Sequence, residues 1–252
     1  MYRKVIKELK KEANPIKAKI LARFFKTGKG EYGEGDKFLG IMVPKQRKLV
    51  KKYFKELSFN DVQELLNSDI HEFRLTGVLF LVAKYQSINR KEIHKRFSLS
   101  PHLGESKEDI FKFYLKNLKV GNINNWDLVD LSAPNIVGDY LFDKNKQVLY
   151  NMVKSQKIWE RRVSVIATLF FIRQKDFSDI LKIAKLLLKD RHDLIQKAVG
   201  WMLREVGKRD KAALLSFLED NADKMPRVML RYSIEKFDKD ERLKYMLFRK
   251  KY

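Results

Sequence analysis

Arg74-Leu75-Thr76, Arg162-Val163-Ser164, Lys197-Ala198-Val199 and Arg231-Tyr232-Ser233 are the stretches that decide the fold. Each is a cation, an apolar or small residue and then a small one, set in a run with helical apolar spacing. Asp130-Leu131-Ser132 is a fifth copy in which an acid replaces the cation. The intervals between successive copies are 56, 32, 35 and 34 residues. The last three match paired-helix repeats, in which no pair can bury its apolar stripe alone and neighbours must stack into a solenoid. The long first interval predicts an insertion around 98–107, which holds Pro101 and Gly104.

Working outward, the remaining sequence agrees with an all-α chain. Val5, Ile6 and Leu9 recur at helical spacing, as do Ile16, Ile20, Phe24 and Phe25. Alternating strand patterns are scarce. Asn14-Pro15 and Val43-Pro44 read as helix starts, where proline's missing N–H is harmless. Asp69, Asp190 and Asp193 are placed to cap or precede second helices. Five of the eleven glycines fall between Gly28 and Gly40. Gly28-Lys29-Gly30-Glu31-Tyr32-Gly33 matches G-x-G-x-x-G in letters. A dinucleotide site needs a strand before that motif and a helix opening after it. Here a charged helix precedes it and Glu34-Gly35-Asp36-Lys37 follows, so an ordered loop is the reading.

The 252 residues carry no cysteine, which excludes disulfides, thiolate metal sites and a cysteine nucleophile. No run approaches the ~18 apolar residues that cross a bilayer, and the first residues lack a signal peptide's apolar stretch. A soluble, cytoplasmic protein with a single domain over 1–252 is expected. The formal net charge of +22 favours a polyanionic partner, with nucleic acid first and anionic membrane second. Lysine outnumbers arginine 38 to 16, so a lysine-rich background composition would also raise the charge. In a curved stack of pairs the second helices line the concave face. The recurring position then sets Arg74, Asp130, Arg162, Lys197 and Arg231 in one row. Pairing of such cations with acids in the next repeat is the alternative.

Trp126 and Asp130 are four apart and share a helix face, as do Lys197 and Trp201. Trp159 lies three before Arg162. A tryptophan at this spacing also fits a core, and an aspartate near a helix end also fits a cap. Together they suggest a groove that is anionic and π-rich at one point and cationic elsewhere. Tryptophan's π face attracts a cation by about 0.5–2 kcal/mol. Such a groove suits a cation embedded in a polyanion, for which a purine alkylated on a ring nitrogen is a candidate. Cleavage of its glycosidic bond develops oxocarbenium character on the deoxyribose, which a carboxylate stabilises.

Ile123 to Asp130, Trp159-Glu160-Arg161-Arg162, His192 to Lys208, Arg23 to Gly40 and Met225-Pro226-Arg227 carry a resemblance over nearly the whole chain. Together they resemble the AlkD-type DNA alkylation repair proteins. The resemblance implies an all-α, HEAT-like or armadillo-like helical-repeat solenoid, C-shaped with a basic concave groove. It implies a monofunctional glycosylase that removes cationic N3- and N7-alkylated purines from duplex DNA, without base flipping and without a cofactor. The family's aspartate matches Asp130, and its groove tryptophans match Trp126 and Trp201. Its groove arginine best matches Arg162, with Arg161 the second choice. Arg74, Lys197, Arg204, Lys208 and Arg231 complete the expected DNA contacts. A non-catalytic binder of damaged or branched DNA and a protein-interaction scaffold are the competing readings. His71, His94, His102 and His192 have no ligand spacing, so no metal is expected. A monomer on the nucleoid is expected.

Overall fold

The computed structural model describes residues 1–94 and 106–247. Residues 98–105 of the expected insertion lie outside them. The described chain is helical, with only an isolated bridge between Lys37 and Ile70. It divides into two compact units, Met1–Ile136 and Val137–Tyr252. The expected all-α helical-repeat class is what the chain forms.

The first unit holds α1 (Tyr2–Lys11), α2 (Pro15–Phe24), α3 (Val43–Tyr53), α4 (Phe59–Leu66), α5 (His71–His94), α6 (Lys107–Val120) and α7 (Trp126–Ala133). Helix α5 is its axis and packs on α3, α4, α6 and α7. Phe73, Leu75, Val78, Phe80, Leu81 and Tyr85 are buried along it. Each such side chain contributes about 1.5–3 kcal/mol by leaving water. Reciprocal Ser–Asp boxes start two of the helices: Ser58 with Asp61 on α4, and Ser106 with Asp109 on α6. Both proline-marked starts are present. Asn14 accepts a hydrogen bond from the Lys17 amide at 2.9 Å before Pro15, and α3 opens at Val43-Pro44. The helical spacing of Ile16, Ile20 and Phe24 does form α2, but the face they mark is not buried. Ile16, Ile20 and Phe24 are 74%, 62% and 61% exposed, and only Phe25, just past the helix, enters the core.

A π-helical turn, Pro134–Gly138, leads into the second unit. That unit holds α8 (Asp139–Leu141), α9 (Gln147–Val153), α10 (Ile158–Arg173), α11 (Ser178–Leu186), α12 (Asp193–Gly207), α13 (Lys211–Asn221), α14 (Arg227–Ser233) and α15 (Lys239–Leu247). Helix α10 packs on α9, α11 and α12, and α12 packs on α11, α13 and α14. The second helices of successive pairs therefore lie side by side, as the 34- and 35-residue intervals require. Asp130, Arg162, Lys197 and Arg231 each stand fifth in their helices, and Arg74 stands fourth in α5. The recurring triplet is thus a structural register.

Gly200 shows how closely α12 and α14 approach. A Cβ there would lie 2.5 Å from both the Met229 carbonyl oxygen and the Tyr232 Cβ. Alanine is the better helix former by about 1 kcal/mol, but the clash with backbone costs about 1–3 kcal/mol. We expect Gly200→Ala to lower the thermal unfolding midpoint by several degrees, at about 2–4 °C per kcal/mol. A midpoint that stays or rises would contradict this packing.

Candidate functional site

Helix α7 begins where a polar cluster meets the glycine-rich loop. Asn125 caps the helix, its Oδ1 accepting from the Trp126 amide at 2.8 Å. The Asn125 side-chain amide donates to Asp36 Oδ2 at 3.2 Å. Asp127 turns inward: Oδ1 accepts from the Leu128 amide at 2.9 Å, and Oδ2 lies 2.8 Å from His71 Nε2. The opposite nitrogen, His71 Nδ1, lies 3.2 Å from Asp36 Oδ2. Arg74 donates to Asp36 Oδ1 at 2.6 Å and to the Ser68 carbonyl at 2.8 Å. Asp36, His71, Arg74, Asn125 and Asp127 are all buried.

The electrostatics follow from this enclosure. Burial opposes a charge on His71, but the Asp127 carboxylate and the hydrogen bonds to Asp127 and Asp36 outweigh it and raise its pKa to about 9. Burial likewise opposes ionisation of Asp36, yet His71, Arg74 and Asn125 hold it below the usual carboxylate range. Because the His71 pKa is raised in the folded state, the stabilisation is complete below the unfolded value of 6.5. It is lost as pH rises through about 9.

Trp126 and Asp130 stand one turn apart on α7, both half-buried. The Trp126 ring stacks on Phe25, with centroids 5.1 Å apart and planes 14° apart, and takes Phe24 edge-on at 5.9 Å. Behind α7, Ser132 donates to the Leu128 carbonyl and hydrogen-bonds to the buried Tyr114 hydroxyl at 3.0 Å. Burial pushes the Tyr114 phenol up, and the charge of Asp130 adds to this.

The glycine-rich loop uses its amides internally. Gly28 donates to Glu31 and Gly30 to Glu34, so neither amide cradles a phosphate in this conformation. At the loop's end Leu39, Gly40 and Ile41 all donate to the Glu72 carboxylate, at 2.7–3.1 Å. Gly40 has a φ of +81°, and a Cβ there would lie 2.2 Å from the Asn14 carbonyl oxygen. Glycine is required on both counts.

The second unit carries the other expected residues. Trp159 and Trp201 are half-buried, on α10 and α12. Arg161 pairs with Asp190 at 2.8 Å, Lys197 with Asp193 at 2.8 Å, Arg204 with Glu235, and Lys208 with Glu205 at 2.6 Å. Arg231 is exposed on α14. Arg162 is only 5% exposed, and one of its Nη atoms donates to the Leu194 carbonyl at 2.6 Å. The burial of Arg162 and Arg74 corrects their expected place in a row of solvent-facing cations. Arg74, at 4% exposure, neutralises Asp36 inside the first unit and presents no charge at the surface. Helical spacing fixes the axial position of a cation, whereas the acid it meets is set by tertiary packing. Sequence reading also missed Asp36, His71, Glu72 and Asp127. Their signal is a polar run, His71-Glu72 and Arg74, opening a helix whose next residues are almost all apolar.

Among the described residues no group of three His, Cys, Asp or Glu could hold a metal ion. No described helix is long and apolar enough to cross a membrane. The chain is thus a strongly basic helical-repeat protein with a tryptophan and a carboxylate together on one helix. A family model described as DNA alkylation repair enzyme matches residues 5–237. The chain belongs to this family, whose role is the enzymatic repair of alkylated DNA. A solved chain described as a predicted DNA alkylation repair enzyme from Enterococcus faecalis superposes with a TM-score of 0.67 at 18% identity. The superposition covers 90% of this chain and 98% of that one, and at this identity the likeness shows the fold. No curated protein matches the chain.

Proposed function

We propose that the protein is a monofunctional DNA glycosylase that hydrolyses the N-glycosidic bond of cationic alkylated purines, N7-methylguanine and N3-methyladenine, in duplex DNA. This is the entry step of base excision repair. The observation that carries the reading is the contrast between the two aspartates of α7. Asp127 is buried against His71, whereas Asp130 is half-buried one turn from a half-buried tryptophan.

The Trp126 π face attracts the positively charged nucleotide. As the C1′–N9 bond breaks, its electron pair passes to the purine, which leaves as a neutral molecule. Positive charge then develops on the deoxyribose, where the Asp130 carboxylate stabilises it and orients water. The water oxygen bonds to C1′ and its proton passes to the carboxylate or to solvent. The products are the free base and an abasic site. No lysine nucleophile takes part, so the strand stays intact. Trp201, Arg161, Arg162, Lys197, Arg204, Lys208 and Arg231 contact the same duplex, the pairs with Asp190, Asp193, Glu235 and Glu205 opening to phosphates. Arg162 would have to leave the Leu194 carbonyl to join them. The protein acts as a monomer in the cytoplasm, on the nucleoid.

The test is incubation with a duplex containing a single 7-methylguanine. Release of free base together with an alkali-labile abasic site is expected. Salt-steep binding without release would favour a non-catalytic binder of damaged or branched DNA instead.

A further inference from the structure

We infer that His71 is a positioning residue for the Trp126–Asp130 pair: a buried imidazolium that ties Asp36 of the glycine-rich loop to Asp127 in the first turn of α7. The inference rests on the roles proposed above for Trp126 and Asp130.

The protonation state follows from geometry. Both ring nitrogens face carboxylate oxygens, at 2.8 Å from Asp127 and 3.2 Å from Asp36. Ionised carboxylates only accept hydrogen bonds, whereas a neutral imidazole has one donor and one acceptor. One of the two contacts would then set lone pair against lone pair. The imidazolium donates to both. The groups facing it are Asp36 from the loop, Arg74 from its own helix and Asp127 from α7, with the Asn125 amide on Asp36. Two cations and two carboxylates balance. Loss of the His71 proton leaves an uncompensated buried negative charge, which is costly.

Two physical routes connect this clamp to the proposed chemistry. The first is covalent: Asp127 follows Trp126 directly and lies three residues before Asp130, so holding Asp127 fixes the helical phase of both. The second is aromatic. Phe25 and Phe38 lie against the imidazole with centroids 4.8 and 4.6 Å away, and Phe25 also stacks on Trp126. The glycine-rich loop supplies Asp36 and Phe38, so this loop acts as the outer half of the clamp. His71 meets Asp36, Asp127, Phe25 and Phe38, so it acts on the pair through placement.

The experiment uses the full chain labelled with 5-fluorotryptophan, whose three ¹⁹F resonances are assigned through Trp126→Phe. In the unsubstituted protein the Trp126 resonance is expected to move with a single-proton midpoint near pH 9, with Trp159 and Trp201 unmoved. In His71→Gln it is expected to be displaced at pH 7 and to lose that transition. On a 7-methylguanine duplex at pH 7, His71→Gln is expected to lower single-turnover release about 10-fold, within the loss that small misplacements cause. Its DNA Kd is expected to stay within twofold. A Trp126 resonance that ignores both the substitution and the pH overturns the inference, as does unchanged release by His71→Gln. If the unsubstituted protein releases no base while Trp126 still follows His71, the proposed activity fails and the clamp stands. Should His71→Gln not fold, the unsubstituted protein's titration and Asp127→Asn, with the same displaced resonance expected, decide the matter.

Discussion

Asp130→Asn is expected to lower single-turnover release of 7-methylguanine from duplex DNA by about 10²–10³-fold, while DNA affinity stays constant or rises slightly. The magnitude is that of removing one preorganised electrostatic group from a developing charge, roughly 3–4 kcal/mol. The direction of the affinity change has a separate reason. Taking one negative charge from a surface that faces phosphates removes a repulsion and leaves the cations untouched. Asparagine keeps the size and hydrogen-bonding reach of aspartate, and Asp130 is half-buried, so unfolding does not supply the loss. The check is quantitation of free base at saturating enzyme, with Kd from fluorescence anisotropy of the same duplex. An Asp130→Asn protein that releases base at the original rate removes Asp130 from the chemistry. A protein that loses rate and affinity together assigns Asp130 a structural part in the DNA-binding surface.

The repeat register was legible because it is local. A charged residue, an apolar or small residue and a small residue recur 32–35 residues apart, and the structure sets Asp130, Arg162, Lys197 and Arg231 at the same step of successive second helices. Helix starts were legible for the same reason, since Asn14-Pro15 and Val43-Pro44 act within one turn. The face that a stripe presents was less legible. Ile16, Ile20 and Phe24 repeat as a core stripe does, yet they stand in solvent, because periodicity specifies a helix face and not what covers it. Least legible was the cluster behind α7. His71 meets Asp127 across 56 residues, and Asn125 meets Asp36 across 89. No local pattern marks such pairs. What the sequence does carry is a physical conflict: charged residues at the start of α5 sit beside residues that must be buried, and buried charges must find partners. The same conflict explains Arg74. Its place in the repeat reads as a groove cation, but residues 71–82 of its helix are all buried, so its charge goes to Asp36.

Glu72→Ala is expected to have the largest effect on stability, destabilising the first unit by about 4 kcal/mol or more. The Glu72 carboxylate is buried and accepts from three consecutive amides, Leu39, Gly40 and Ile41. No side chain in the loop substitutes for it in these bonds. Truncation leaves three N–H groups without acceptors, those of Gly40 and Ile41 buried and that of Leu39 part-buried, each costing up to about 1–3 kcal/mol. Stability totals of ~5–15 kcal/mol make such a loss nearly decisive. Glu72→Gln separates charge from shape. Its one carbonyl oxygen can still accept, but its amide group meets donors in place of the second oxygen, so an intermediate loss of about 1–2 kcal/mol is expected. The measurement is hydrogen exchange of the Leu39, Gly40 and Ile41 amides alongside urea unfolding. Fast exchange at these three amides in Glu72→Gln, with α12 amides unchanged, would place the defect at the loop's end. Because that loop also supplies Asp36, the imidazolium of His71 should lose its second carboxylate as the loop loosens, and the Trp126 resonance should move with it. Slow exchange at all three amides in Glu72→Ala would show that the loop is held by other contacts and that Glu72 is not its anchor.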